Sequence, residues 1–368
     1  MLYCKKCGAV VGENDMFCTS CSARLDSSSV VNKSGLRQIA AERQEFSADA
    51  ATSETDLTGF SVMGMRLTDK LFSLMGSDYY RAVNANGEEC IPLMMRHIIF
   101  PSAVDCDCAM LNNGADPSAA GALSRQFTEM LSKECLSFSA ACASAGVPSI
   151  NYRCEVMYSE LNNIYHIFIL MNDAVPLPLY LRKEQLTVRD ALMMGGSISE
   201  ELIRLDKNNV HYGAFSDCMI FVSGTGNQRK IYLDCRLSMC YDRFLPMSSY
   251  MSYFRQYFSP RRRNYEVYSL GMLLYRMLSQ FRHPYINHRG IATSAEFLQA
   301  ERLRGSMAEP YPPDCLQNTF GTVIRDAIST SQHELTMSEF SRVLINSLNY
   351  VQAGELNRTI KLDGTVGK

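Results

Sequence analysis

The stretch Tyr268-Ser269-Leu270-Gly271-Met272-Leu273-Leu274-Tyr275-Arg276-Met277-Leu278, closed by His283-Pro284-Tyr285, decides how the larger part of this chain is read. Leu270, Leu274, Met277 and Leu278 recur at helical spacing and predict a helix. Upstream, Leu192, Ile198, Leu202 and Leu205 predict another, and Thr187 with Asp190 has the spacing of its capping box. Before Pro178 the period changes. Tyr152 to Tyr158 and Ile164 to Met171 read as strands, and Ala119 to Ala145 as a helix that Gly146 and Pro148 stop. Tyr79 to Val83 and Ile91 to Phe100 read as paired strands around Asn86-Gly87, a dipeptide that supplies a hairpin turn. A small β-rich part thus precedes a larger helical one, and the fold class is α+β.

With 368 residues, of which 46% are apolar, the chain can bury a core of its own and is expected to hold two folded units. Its 36 basic and 38 acidic residues leave a net charge of -2, which gives no electrostatic footprint for nucleic acid or an anionic membrane. The longest strongly apolar stretch, Ile164 to Leu170, contains His166 and is too short to span a bilayer. The N-terminus opens on cysteines rather than on a charged region and an apolar segment, so a cytoplasmic location is expected.

Four of the 14 cysteines stand apart. Cys4-Lys-Lys-Cys7 and Cys18-Thr-Ser-Cys21 place two close thiolate pairs on two tight turns, the pattern of a structural zinc site. Each two-residue gap lets the backbone turn both sulfurs toward one ion. Gly8 suits the positive backbone angle of such a knuckle. A unit of this size cannot build a core, so the metal supplies its folding energy. The other cysteines are scattered and read as reduced thiols, Cys106 and Cys108 included. The organisation expected is a zinc ribbon over 1–25, a flexible Ser-, Ala- and acid-rich linker over 26–64, the large domain over 65–350, and a polar mobile tail over 351–368 in which Thr359 and Thr365 are candidate phosphoacceptors.

The first 25 residues or so resemble the zinc-ribbon family found at the N-termini of many bacterial proteins: Tyr3, Cys4, Cys7, Gly8, Phe17, Cys18 and Cys21 fit, and Ser22 stands where glycine is usual. The segment from Tyr268 resembles the F-helix of bacterial serine/threonine protein kinases, with Glu266 at the position of an aspartate. Asn209 to Ile220 is similar to their catalytic loop, Asp234-Cys235-Arg236 to their Asp-Phe-Gly, and Pro176 to Thr187 to the segment after the hinge. These matches occur in the family's order. They imply a two-lobed protein-kinase-like fold, with a small β-rich N-lobe and a larger helical C-lobe, preceded by the ribbon.

Set against that family, this chain has lost most of what phosphoryl transfer requires. The phosphate-covering loop aligns with Phe72-Ser73-Leu74-Met75-Gly76-Ser77-Asp78, where one glycine remains and an aspartate would repel phosphate. Arg96 takes the place of the phosphate-contacting lysine, an exchange that keeps charge and not geometry. Its helix partner would be Glu134, or less well Glu129. Gly213 stands at the catalytic aspartate and Cys218 at the second metal ligand; glycine cannot accept a proton, and a thiol suits magnesium poorly. Asp234 survives as the residue that would hold Mg-ATP, with Arg236 placed to pair with it. No Ala-Pro-Glu closes the activation segment, which runs into Arg261-Arg262-Arg263, a solvated basic loop or a surface for an acidic partner.

These losses imply a pseudokinase: a binding, scaffold or allosteric protein for a protein partner, with the ribbon as docking module. One alternative is an atypical active kinase that uses Arg96, Glu134, Asp217 and Asp234 in displaced roles. Another is a nucleic-acid-binding ribbon, which the balance of Lys5, Lys6 and Arg24 against Glu13 and Asp15 does not favour.

Overall fold

Alternation of side chains across a strand lets one sheet serve two cores, and here that sheet carries the N-terminal half of the larger of two compact units, Met1–Asp56 and Leu57–Lys368. The computed structural model describes residues 2–4, 10–11, 30–31, 56–74, 77–84, 93–100, 133, 136–159, 164–234, 264–286, 294–306, 308–329 and 334–360.

In the first unit β1 (Leu2–Cys4) pairs antiparallel with both β2 (Val10–Val11) and β3 (Val30–Val31), so that Tyr3 faces Val10 on one side and Val31 on the other. β3 falls inside the stretch read as linker. Its two β-branched residues pair as a strand despite the serines before them.

In the second unit β4 (Ser61–Val62), β5 (Met65–Leu74), β6 (Ser77–Asn84), β7 (Leu93–Phe100), β8 (Asn151–Ser159) and β9 (Ile164–Asn172) form one antiparallel sheet in the order β4-β5-β6-β7-β9-β8. β4 also lies within the expected linker, and the unit begins at Leu57 rather than at 65. Tyr79, Ile167 and Ile169 enter the main core; their neighbours Tyr80 and Phe168 enter a smaller cluster with Val62, Leu67 and Ala82. The strands predicted around Tyr79, Phe100, Tyr152 and Ile164 are all present. Between β7 and β8 the chain forms α1 (residues 136–145), whose Phe138 and Cys142 are buried, and Gly146 ends it at φ +68°.

β10 (Val175–Pro176), β11 (Ile220–Ser223) and β12 (Lys230–Leu233) make a second antiparallel sheet. The helices are α2 (Leu177–Lys183), α3 (Val188–Lys207), α4 (Tyr265–Leu278), α5 (Ser294–Gly305), α6 (Phe320–Val323), α7 (Arg325–Ile328), α8 (Met337–Tyr350) and α9 (Ala353–Leu356). The capping box at α3 is as the spacing requires: the Asp190 N–H donates to Thr187 Oγ1 at 3.2 Å, and the Thr187 N–H donates to Asp190 Oδ2 at 2.9 Å. Burial pushes the Asp190 carboxyl up, but the bonds from Thr187 and the nearby Arg229 outweigh it and leave the pKa below its ordinary value. No described helix is long and apolar enough to cross a membrane. Among the described residues Cys142, Cys154, Cys218 and Cys315 are not joined in disulfides.

The segment from 351 departs from the mobile tail expected of its polarity. Val351, Leu356 and Ile360 are buried in the main core, the Val188 N–H donates to the Arg358 carbonyl at 3.0 Å, and the Ile360 N–H donates to the Leu186 carbonyl at 2.8 Å. Three apolar side chains among polar ones suffice to seat it beside the start of α3. Thr359 forms an antiparallel bridge with Thr187, and Thr365 lies outside the described residues.

α4 is the axis of the helical part. Every residue from Val267 to Leu278 is buried, and the helix packs against α3 and α7. Gly271 permits the second contact: a Cβ there would stand 2.7 Å from Ala327 Cβ and 2.9 Å from Ile328 Cγ2. Gly196 on α3 would meet only Ile345 Cγ1 at 3.8 Å, an ordinary contact. Gly271→Ala is therefore expected to destabilise the protein by about 1–3 kcal/mol. Gly196→Ala should stabilise it by about 0.5–1 kcal/mol through helix propensity alone. Urea unfolding of the two variants beside the wild type reads the opposite signs.

Candidate functional site

The first turn of α4 grips the segment from Asn209 to Met219. Asn264 caps the helix, its Oδ1 accepting from the Val267 N–H at 3.4 Å. Two residues after the cap, Glu266 Oε1 accepts two backbone N–H groups, from Tyr212 at 2.6 Å and from Gly213 at 2.9 Å. Ser269 Oγ accepts a third from Phe215 at 3.1 Å. Burial pushes the Glu266 carboxyl above its ordinary pKa, opposed by the N–H groups of Gly213 and Tyr212. The chain turns sharply here, with Asn209 at φ 59° and Gly213 at φ 80°.

Tyr212 carries the loop inward. Its ring lies 5.4 Å from that of Phe138 on α1 and 5.7 Å from that of Phe215, and its hydroxyl donates to the Asp234 carbonyl at 2.9 Å. Asp217, Cys218 and Met219 form a buried 3-10 turn that leads into β11. The Ile220–Leu233 pair of β11 and β12 continues into a bond from the Asp234 N–H to the Met219 carbonyl at 2.9 Å. The Asn209–Ile220 stretch that holds Gly213 and Cys218 is thus brought to Asp234 by the Tyr212 hydroxyl, the Ile220–Leu233 pair and the Asp234 N–H. The side chains of Asp217, Cys218 and Asp234 are all buried.

On the sheet, the stretch aligned with a phosphate-covering loop is the β5–β6 hairpin, with Ser73 opposite Asp78 and Leu74 opposite Ser77. The Asp78 carboxylate faces charge of its own: Lys70 Nζ stands 2.9 Å from Oδ1, and Ser73 Oγ donates to the same oxygen at 2.6 Å. Phe72 turns its ring onto Tyr79, centroid to centroid 4.5 Å. Arg96 occupies β7 between Tyr79 on β6 and Ile169 on β9; its side chain lies outside the described residues, as do Glu129, Glu134, Cys235, Arg236 and Arg261 to Arg263. Of the four predicted zinc ligands, Cys4 ends β1, while Cys7, Cys18 and Cys21 lie outside the described residues. Among the described residues no group of three or more His, Cys, Asp and Glu gathers in metal-binding geometry.

Glu266 is the functional residue that sequence reading placed without seeing its task. Its position in the first turn of a helix was legible, but its two acceptor contacts lie more than fifty residues away in the chain. Beside it an open groove of about 650 Å³ is lined by Asp206, His211, Gly213, Glu266, Leu335 and Thr336, with His211 Nδ1 2.9 Å from the Asp206 carboxylate.

No family model and no curated protein matches this chain. Among solved structures it is similar to the PknI kinase domain of Mycobacterium tuberculosis. A single mutant of that domain aligns at 11% identity and a TM-score of 0.42, covering 79% of this chain and 98% of that one. Two double mutants align at TM-scores of 0.42 and identities of 11% and 12%, with 79% and 78% of this chain and 98% and 97% of theirs covered.

The two-donor clamp gives a direct test. Glu266→Ala deprives both N–H groups of this acceptor and is expected to cost about 2–3 kcal/mol of stability. Glu266→Gln keeps an oxygen acceptor and should cost less than half as much. Chemical denaturation of the two variants measures the difference, and equal losses would refute the clamp.

Proposed function

We propose that this chain is a pseudokinase: a kinase-like domain that binds a protein partner without transferring phosphate, attached to a structural zinc ribbon. The observation that carries the reading is the grip of Glu266 on Tyr212 and Gly213. The helix that resembles the F-helix and the loop that resembles the catalytic loop were recognised independently in sequence, and they meet in space through the acid that stands where the family has its aspartate. The kinase-like loop is therefore held in place while its chemistry is absent. At the centre of the loop is Gly213, which offers no carboxylate to orient a hydroxyl or accept its proton.

The loss at Gly213 is built into the backbone. At φ 80° the position favours glycine, so an aspartate there is strained by about 1–2 kcal/mol as well as misdirected. Cys218 and Asp234 are buried, and the Asp78 carboxylate is engaged by Lys70 and Ser73. A hard cation favours clustered carboxylate and carbonyl oxygens over a buried thiol. With no transfer chemistry in the loop, the surfaces of the helical part and of the ribbon are what remain to act, which is the logic of a scaffold or allosteric partner.

Purified protein with radiolabelled ATP and magnesium or manganese is expected to transfer no phosphate to itself or to a generic acceptor protein. Gly213→Asp should restore none and should lower stability. Transfer by the wild type that Asp234→Ala abolishes would instead establish the atypical-kinase reading.

The ribbon belongs to the same proposal. β1, which ends on Cys4, pairs antiparallel with β2, and Cys7 lies between the two strands in sequence, which suits a zinc knuckle of thiolates. Cys4, Cys7, Cys18 and Cys21 would hold the ion, which would supply folding energy to this unit and no reaction chemistry. Metal analysis of the purified chain is expected to find a single zinc per molecule, released by a strong chelator with loss of amide protection confined to the first unit. Zinc retained after Cys4→Ser and Cys18→Ser together would remove the assignment.

A further inference from the structure

We infer that Phe72, Tyr79 and Phe221 form a permanent lock that closes the cleft between the six-stranded sheet and the helical part, occupying with protein side chains the gap a nucleotide base would need. This deepens the pseudokinase reading and rests on it for the identity of the cleft.

Phe72 belongs to the hairpin aligned with a phosphate-covering loop, and Tyr79 follows that hairpin directly. Phe221 follows the catalytic-loop-like segment directly. These rings stand where the two segments meet. Tyr79 is 1% exposed, its centroid is 4.5 Å from that of Phe72 on one side and 6.3 Å from that of Phe221 on the other, and Phe221 is completely buried. Aromatic rings in direct contact have centroids about 4.5–7 Å apart, so neither gap leaves room for a third ring.

Two further connections hold the same surfaces together. Phe138 of α1 meets Tyr212, which bonds to the Asp234 carbonyl. Just before β8, the Ile150 N–H donates to the Leu233 carbonyl at 3.0 Å and the Leu233 N–H donates to the Pro148 carbonyl at 3.1 Å. Tyr79, Phe138, Ile167 and Ile169 accordingly share one continuous core with Phe221, Leu233 and the residues of α4. A cleft that opens and closes needs a seam of weak contacts, and here that seam is aromatic, buried at Tyr79 and Phe221, and tied by backbone hydrogen bonds.

The lock predicts that the full-length wild type shows no rise in Tm with millimolar ATP, ADP or adenosine, with or without magnesium. It also predicts that the amides of Tyr79 and Phe221 exchange only through global unfolding. Tyr79→Ala should lower Tm by roughly 10 °C and leave an apolar cavity, and millimolar indole or adenine should then raise the Tm of the variant and not that of the wild type. If Tyr79→Ala does not fold, the exchange measurement on the wild type decides alone. Exchange of either amide by local opening would overturn the lock. Saturable binding of an adenosine nucleotide to the wild type without phosphate transfer would overturn the lock and leave the non-catalytic reading standing; binding with transfer would end both.

Discussion

One carboxylate oxygen organises this molecule's central loop. Glu266 Oε1 takes the N–H groups of both Tyr212 and Gly213, and because Glu266 sits in the first turn of α4, which is buried from Val267 to Leu278, it fixes the loop to the central helix of the helical part. The consequences propagate outward. With Tyr212 held, its ring reaches Phe138 and its hydroxyl reaches the Asp234 carbonyl; with Phe215 anchored on Ser269, the 3-10 turn that follows delivers the chain into β11. Burial still holds the Glu266 carboxyl above its ordinary pKa, and the two hydrogen bonds it accepts counter that penalty only in part.

That arrangement separates two properties usually found together, the shape of a loop and its chemistry. Positioning is done by the backbone, which needs only donors, an acceptor and permitted dihedral angles. Phosphoryl transfer needs in addition a carboxylate at the loop's centre and hard oxygen ligands beside it. Gly213 satisfies the first set through its positive φ, at the cost of the second. On the sheet, the β5–β6 hairpin is likewise held by side chains, through the stack of Phe72 on Tyr79 and the Lys70–Asp78 ion pair.

The close approach of α4 to α7 shows how few positions tolerate no change. Gly271 admits Ala327 and Ile328 to contact distance, whereas Gly196, also in a helix, faces open enough space for a methyl group. Nothing in the local pattern separates the two glycines. The difference lies in what packs against each of them.

Much of the architecture was legible from the sequence because it is set locally: strand-like runs around Tyr79 and Ile164, helical spacing around Leu192 and Leu270, the Thr187–Asp190 box, and the helix stop at Gly146. The spacing of the paired cysteines is also local, and it implies a zinc site. Composition misled where a few apolar residues outweigh many polar ones, as at Val30, Val62 and the Leu356–Ile360 strap, because burial depends on which side chains find a partner and not on the average of a window. Gly213 and Cys218 are read directly from the sequence, since identity at a position needs no fold; that they replace catalytic residues is what the resemblance implies. What only the tertiary structure decided is which acid holds the Asn209–Met219 loop and which rings meet between the sheet and the helical part. The Glu266 clamp and the Phe72–Tyr79–Phe221 stack join residues far apart in the chain, and such contacts exist only once the sheet and the helices have packed.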